Sequence, residues 1–99
     1  MVRGAFEYQG QKCSAASRVI VEAPVYDDLV SRLKELTENL VIGDPTEKET
    51  YMGPVINESA YRDFQNFNEE ISGTGATFIT GGHVQVTGDY TKGYFCEPT

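Results

Sequence analysis

The chain has little positive charge and few of the side chains that hold metals. Of its 99 residues only 8 are Lys or Arg, against 15 Asp or Glu, for a net charge of −7. Nucleic acid and anionic membranes both need a basic footprint, so neither is expected as a partner. His83 is the only histidine, and Cys13 and Cys96 are far apart, so no zinc-like spacing exists and no metal is expected. No apolar run approaches the ~18 residues of a membrane span, and no basic stretch followed by an apolar one marks a signal peptide. With neither a secretory signal nor a dense cysteine framework, the two cysteines read as thiols of a reducing compartment. Neither Gly-x-Gly-x-x-Gly nor the Gly-Lys-Ser/Thr end of a phosphate loop occurs, so nothing here binds a dinucleotide unaided. A Cys-x-x-Cys pair is also missing, which weakens a thiol-redox role.

What is present suits a folded chain. Hydrophobic content is 39%, and Pro and Gly do not dominate, which argues against disorder. The length fits one small domain or a piece of a larger one, and a domain of this size buries only about two-thirds of its unfolded surface. Val2, Ala5, Phe6 and Tyr8 have the spacing of a helix end that Gly10 would stop. Val19, Ile20 and Val21 are consecutive β-branched residues, a run suited to a strand buried on both faces of a parallel sheet; Pro24 would end it. Leu29, Val30, Leu33, Leu36 and Leu40 then make one helical stripe, with Asp27 and Asp28 at the positive end of the dipole. Gly43-Asp44-Pro45 stops that pattern, and Thr46 to Glu49 reads as a charged surface loop. Asn57 predicts the cap of a second helix with Tyr61, Phe64, Phe67 and Ile71 as its apolar stripe, a core face rather than a cofactor site. Ala76 to Thr80 predicts a strand ended by Gly81-Gly82, Val84 to Val86 another, and Tyr94 to Cys96 a final extended piece. The order strand, helix, helix, strand points to an α/β layer with a parallel pair joined by a right-handed crossover.

The stretch Gly10 to Arg18 differs from the rest. It sets Cys13 in a polar turn between Gly10 and a run of small residues, just ahead of the apolar run. Ser14 to Ser17 could open a short helical turn, and Lys12 and Arg18 supply positive charge, the surroundings that favour a thiolate. A small buried packing cysteine is the other reading of the same residues. Cys13 could also pair with His83, but a lone histidine after a double glycine is weak support.

The segment Phe6-Glu7-Tyr8-Gln9-Gly10-Gln11-Lys12-Cys13-Ser14-Ala15-Ala16-Ser17-Arg18 resembles the cysteine-containing active-site segment of NAD(P)-dependent aldehyde dehydrogenases. Tyr26-Asp27, Gly43-Asp44-Pro45, Gly53-Pro54, Gly75-Ala76, Gly81-Gly82 and Tyr94-Phe95-Cys96-Glu97-Pro98-Thr99 continue it in the family's order, so the resemblance spans nearly the whole chain. Gly10-Gln11-Lys12-Cys13-Ser14-Ala15 is similar to the branch that oxidises glutamate γ-semialdehyde, the 1-pyrroline-5-carboxylate dehydrogenases of proline catabolism.

The resemblance implies a fragment, residues 1–99, of a catalytic domain: a partial open, mostly parallel α/β sheet with flanking helices. Its parts would be a nucleophile loop at about 8–18, a strand-helix-helix-strand unit at about 19–80 and an extended segment at about 84–99. The outer strand would expose an edge that other residues cover. It also implies that Cys13 attacks the aldehyde carbon to give a thiohemiacetal, that hydride leaves to the nicotinamide of NAD or NADP, and that water hydrolyses the resulting thioester. The backbone N–H of Cys13 would be one oxyanion donor, and Ser14 would help to hold the substrate carboxylate, although a helix cap explains Ser14 equally well. Cys96 matches no nucleophile position and reads as packing. Expected partners are the small aldehyde and the rest of a parent polypeptide, itself a homo-oligomer of the cytoplasm or the mitochondrial matrix.

The family's Glu-Leu-Gly-Gly general base, its oxyanion asparagine, its glycine-rich cofactor segment and its Glu-x-Phe-Gly-Pro motif do not occur in the chain. Glu7, Glu22 and Glu97 lie in no matching motif. The chain alone is therefore expected to be inactive, with no cofactor bound. Two alternatives stay open: a non-catalytic α/β module with a packing cysteine, and an aldehyde dehydrogenase of another substrate class.

Overall fold

A computed structural model describes all of residues 1–99. Three helices form, α1 (Val2–Phe6), α2 (Tyr26–Glu38) and α3 (Glu58–Ser72); the first ends at Phe6, because Glu7 is already non-helical, and not at the expected stop Gly10. Asp27 and Asp28 occupy the first turn of α2, preceded by a short 3-10 turn, Ala23–Val25, that contains Pro24. Asn57 caps α3 by accepting the Ala60 N–H at 2.9 Å, a contribution of about 1 kcal/mol. Two short strands, β1 (Val84–Gln85) and β2 (Phe95–Cys96), pair antiparallel with Val84 opposite Cys96. A single parallel bridge joins Ile42 to Met52 at the base of the charged loop, whose residues Asp44 to Glu49 are exposed. The architecture is α/β.

Two expectations about strands differ from what forms. Val19–Val21 and Ala76–Thr80 belong to no ladder, so the mostly parallel sheet and its crossover are not assembled within these residues. The physical reason is pairing: a β-branched run favours extended backbone, but a strand exists only when a neighbour takes its N–H and C=O groups. Ile20 is fully exposed as a result.

The helix stripes are also rotated from the apolar pattern. On α2 the buried side is Val30, Leu33 and Thr37, with Leu36 outside; on α3 it is Tyr61, Phe64, Asn68 and Ile71, with Phe67 outside. Both sets keep the i, i+3, i+7 spacing of one helix face. Asn68 is tolerated there because its side-chain N–H donates to the Gly82 carbonyl at 3.2 Å. Only seven residues are buried, with Met52, Phe95 and Cys96 as the apolar centre. Around them lies an open groove of about 820 Å³, bordered by Val30, Leu33, Phe64, Phe67, Ile71 and Phe78. This chain supplies one wall of a core and leaves the other side open. No helix is long and apolar enough to cross a membrane.

Candidate active site

The Cys13 turn is built from the backbone upward. After α1 the chain reverses through Tyr8 (φ 55°), Gln9 (φ 59°) and Gly10 (φ 69°), three consecutive residues in the left-handed region. For the two non-glycine residues this costs about 1–2 kcal/mol each, so surrounding contacts must hold it in place. Gly10 is required at the third position: a Cβ there would come within 2.9 Å of the Ala5 carbonyl oxygen. The Gln11 N–H closes the reversal by donating to the Tyr8 carbonyl at 3.0 Å. A second turn then runs from the Lys12 carbonyl to the Ala15 N–H, 3.0 Å apart, with Cys13 and Ser14 at its exposed centre. The Ala16 N–H donates to the Gly4 carbonyl at 2.8 Å and ties the loop back to α1.

Two glutamines fasten this loop to a distant part of the chain. Gln11 Oε1 accepts the Ile56 N–H at 2.9 Å. With the Gln9 amide assigned in the orientation that satisfies both of its ends, its Oε1 accepts the Gly53 N–H at 2.7 Å and its Nε2 donates to the Tyr8 carbonyl at 3.0 Å. The segment they grip is itself anchored, because the Val55 N–H donates to the Tyr94 carbonyl at 2.8 Å and Asn57 caps α3.

The predicted site residues divide accordingly. Cys13 carries an exposed free thiol. Ser14 lies beside it, but no helix follows, so the expected helical turn over Ser14–Ser17 is absent and Ser14 caps nothing. The Ala16 N–H donates instead to the Gly4 carbonyl, outside the stretch. Lys12 does not reach toward the thiol as a lone charge; its ammonium sits 5.3 Å from the centre of the Tyr8 ring, a cation–π contact. His83 lines a different cavity, of about 440 Å³, with Asn68, Phe78 and Gly81–Val84, in which Cys13 takes no part. Glu7 pairs with Arg3 at 3.6 Å and Glu97 accepts from Gln85 at 2.7 Å, so both carboxylates are engaged elsewhere.

Cys96 is buried on β2, and burial pushes its thiol up to about 11. The same thiol, when ionised, acts with burial to raise the Tyr61 hydroxyl above its usual range, burial being the larger cause. Alkylation with iodoacetamide at pH 8 is therefore expected to modify the exposed Cys13 more than about tenfold faster than Cys96, whose thiol is both buried and, raised to about 11, almost wholly un-ionised there. Peptide mass spectrometry reads both sites at once. Equal rates would show that the Cys96 side of the molecule opens freely.

The groove beside this loop does not fit a dinucleotide. Its border is predominantly apolar, and its cations, Arg18 and Lys34, are not backed by a glycine-rich phosphate turn. The reversal that precedes Cys13 was not foreseen, nor was the grip of Gln9 and Gln11. Gly10 was the one local signal of the first; nothing in the sequence linked Gln11 to a residue 45 positions away.

Comparison with known proteins bears on the whole chain. A model of the aldehyde dehydrogenase family matches residues 1–99. The 1-pyrroline-5-carboxylate dehydrogenase of Geobacillus kaustophilus (strain HTA426) is 46% identical over 99 residues, which are 100% of this chain and 18% of that protein. An NAD+ complex of an aldehyde dehydrogenase from Bacillus cereus superposes with a TM-score of 0.88 at 35% identity, covering 97% of this chain and 19% of that one. The Δ-pyrroline-5-carboxylate dehydrogenase of Mycobacterium tuberculosis, bound with NAD and cobalamin, gives 0.86 at 33% identity, covering 98% and 17%. The chain thus spans about a fifth of the length of the relatives it matches. The chain belongs to the aldehyde dehydrogenase family.

Proposed function

We propose that residues 1–99 are the nucleophile-bearing portion of the catalytic domain of a longer aldehyde dehydrogenase that oxidises L-glutamate γ-semialdehyde, the open form of 1-pyrroline-5-carboxylate, to glutamate. The observation that carries the reading is an exposed thiol, Cys13, at the centre of a turn whose approach is strained and fastened on both sides. A packing cysteine would have no use for such a support. The substrate assignment is supported by Gly10-Gln11-Lys12-Cys13-Ser14-Ala15 and by the 46%-identical relative being a 1-pyrroline-5-carboxylate dehydrogenase.

In this reading the Cys13 thiolate adds to the aldehyde carbon and forms a carbon–sulfur bond, leaving a tetrahedral oxyanion that the Cys13 N–H can stabilise. The Ser14 hydroxyl, with no helix to cap, is free to donate to the substrate carboxylate. The residues present do not build a dinucleotide site, so oxidation of the adduct and hydrolysis of the acyl enzyme belong to the remainder of the enzyme. NAD is proposed as the cofactor of that whole protein, following the dinucleotide bound in both solved relatives. The loop at about 8–18, the unit at about 19–80 and the segment at about 84–99 would then be parts of one domain. Val19–Val21 and Ala76–Thr80 would be strands of its mostly parallel sheet, paired through residues outside this chain. Two free cysteines fit a cytoplasmic or matrix enzyme, and a homo-oligomer is proposed for the parent.

The test is a substrate comparison on the full-length enzyme, following NADH formation with glutamate γ-semialdehyde and with uncharged aldehydes of similar length. The carboxylate-bearing aldehyde is expected to be preferred by about 100-fold in kcat/KM, the scale set by charge-assisted hydrogen bonds. Equal use of uncharged aldehydes would overturn the substrate assignment. The 99-residue chain alone is expected to give no turnover, and turnover by it would overturn the fragment reading.

A further inference from the structure

We propose that Gln9 and Gln11 are positioning residues that fix where the Cys13 thiol stands, by clamping its loop onto the segment Gly53–Ile56. The inference rests on Cys13 being the nucleophile and adds how its place is set. Three observations converge on it. The approach to Cys13 is a left-handed reversal at Tyr8, Gln9 and Gly10 that two of its residues do not favour intrinsically. Gln11 Oε1 takes the Ile56 N–H at 2.9 Å, and Gln9, with its amide assigned so that both ends are satisfied, takes the Gly53 N–H of the same segment at 2.7 Å. That segment cannot drift, since it is joined to Tyr94 through the Val55 N–H and leads directly into the Asn57 cap.

The two side chains do different work. Gln9 belongs to the reversal and satisfies it from both ends, accepting from Gly53 and donating to the Tyr8 carbonyl, so both halves of its amide are used. Close approach is needed: a Cβ on Gly53 would stand 3.3 Å from the Gln9 amide. Gln11 follows the reversal, two residues before Cys13, and only its oxygen is used. Removing the Gln11 carbonyl would leave the Ile56 N–H without its partner and release the loop on the side nearest the thiol. Attack on a carbonyl tolerates little misplacement, and about 1 Å can cost 100-fold.

The acceptor-only role of Gln11 makes a specific test. In the full-length enzyme, Gln11→Leu removes the acceptor, whereas Gln11→Glu keeps an oxygen for the Ile56 N–H. Gln11→Leu is expected to lower kcat by about 10- to 100-fold with KM changed less than about threefold, and to speed hydrogen exchange at the Ile56 amide. Gln11→Glu is expected to restore both kcat and exchange to near the parent values. For Gln9 the substitution to Glu should not rescue, because a carboxylate cannot donate to the Tyr8 carbonyl. Unchanged kcat in Gln11→Leu, or a Gln11→Glu enzyme as slow as Gln11→Leu, would overturn the proposal. If Gln11→Leu does not fold, the contrast between Gln11→Glu and Gln9→Glu decides: equal kcat in the two would overturn it. Failure of the nucleophile reading would look different, as an enzyme still active with Cys13 replaced while Ile56 exchange responds to Gln11→Leu as expected.

Discussion

Replacing Cys13 with serine in the full-length enzyme is expected to reduce kcat by at least about 10,000-fold, with KM changed little. The two side chains are nearly isosteric, so the turn around Lys12–Ala15 has no reason to rearrange. The difference is chemical. A thiol is far more acidic than an alcohol and its anion is the stronger nucleophile, whereas a serine hydroxyl needs a base beside it. No such base is at hand in this chain: His83 lines a separate cavity, Glu7 is paired with Arg3 and Glu97 with Gln85. Rapid-mixing kinetics would check the outcome, since the early burst of NADH that marks adduct oxidation should vanish together with steady turnover. A serine variant that kept more than about one per cent of kcat would remove Cys13 from the mechanism.

Substituting alanine for Gly81 is expected to destabilise the chain by about 3 kcal/mol, against about 1 kcal/mol for the same change at Gly75. Both glycines have positive φ, 73° and 79°, so the backbone cost is shared. They differ in what surrounds them. A Cβ at Gly81 would lie 2.3 Å from the Pro98 carbonyl oxygen and 2.7 Å from the Thr99 hydroxyl, whereas nothing lies within 4 Å of one at Gly75. Backbone cannot step aside as a flexible side chain can, and the Gly82 N–H already holds the Thr99 hydroxyl at 2.8 Å. With so few buried residues, a loss of that size is a large share of the ~5–15 kcal/mol that holds a domain folded. Urea unfolding of the two variants beside the parent gives the difference directly. Equal midpoints would mean that the carboxy-terminal residues do not pack on Gly81.

What could be read from sequence is what local physics decides. The α3 cap at Asn57 was legible because a side-chain acceptor ahead of an amphipathic run has a single use. Helices α2 and α3 announced themselves by periodicity, and the pairing end of Tyr94 to Cys96 by its apolar, extended character. The phase of the stripes was less legible, since Thr37 and Asn68 are polar residues whose burial depends on partners elsewhere, as the Asn68 bond to Gly82 shows. Val19–Val21 and Ala76–Thr80 carry strand-like composition, yet neither joins a ladder, because pairing is a property of the neighbour and not of the run itself. At the candidate site, Cys13 stood out by composition and neighbours. Its support did not, since Gln9 and Gln11 are ordinary polar residues until the fold brings Gly53 and Ile56 beside them.

The fully exposed Ile20, in the middle of a β-branched run that joins no ladder, has a practical consequence for handling these 99 residues on their own. Three β-branched residues with free N–H and C=O groups form a template onto which an identical run can add. Intermolecular addition is second order in chain, so the species recovered will depend on how concentrated the preparation has been. For the 99 residues prepared alone, dilute solutions are expected to hold single chains and concentrated ones to form β-rich aggregates with Val19–Val21 the first segment protected from hydrogen exchange, whereas in the longer enzyme the proposed sheet would cover that run. A lysine at position 20 would keep the backbone extended while making that addition repulsive.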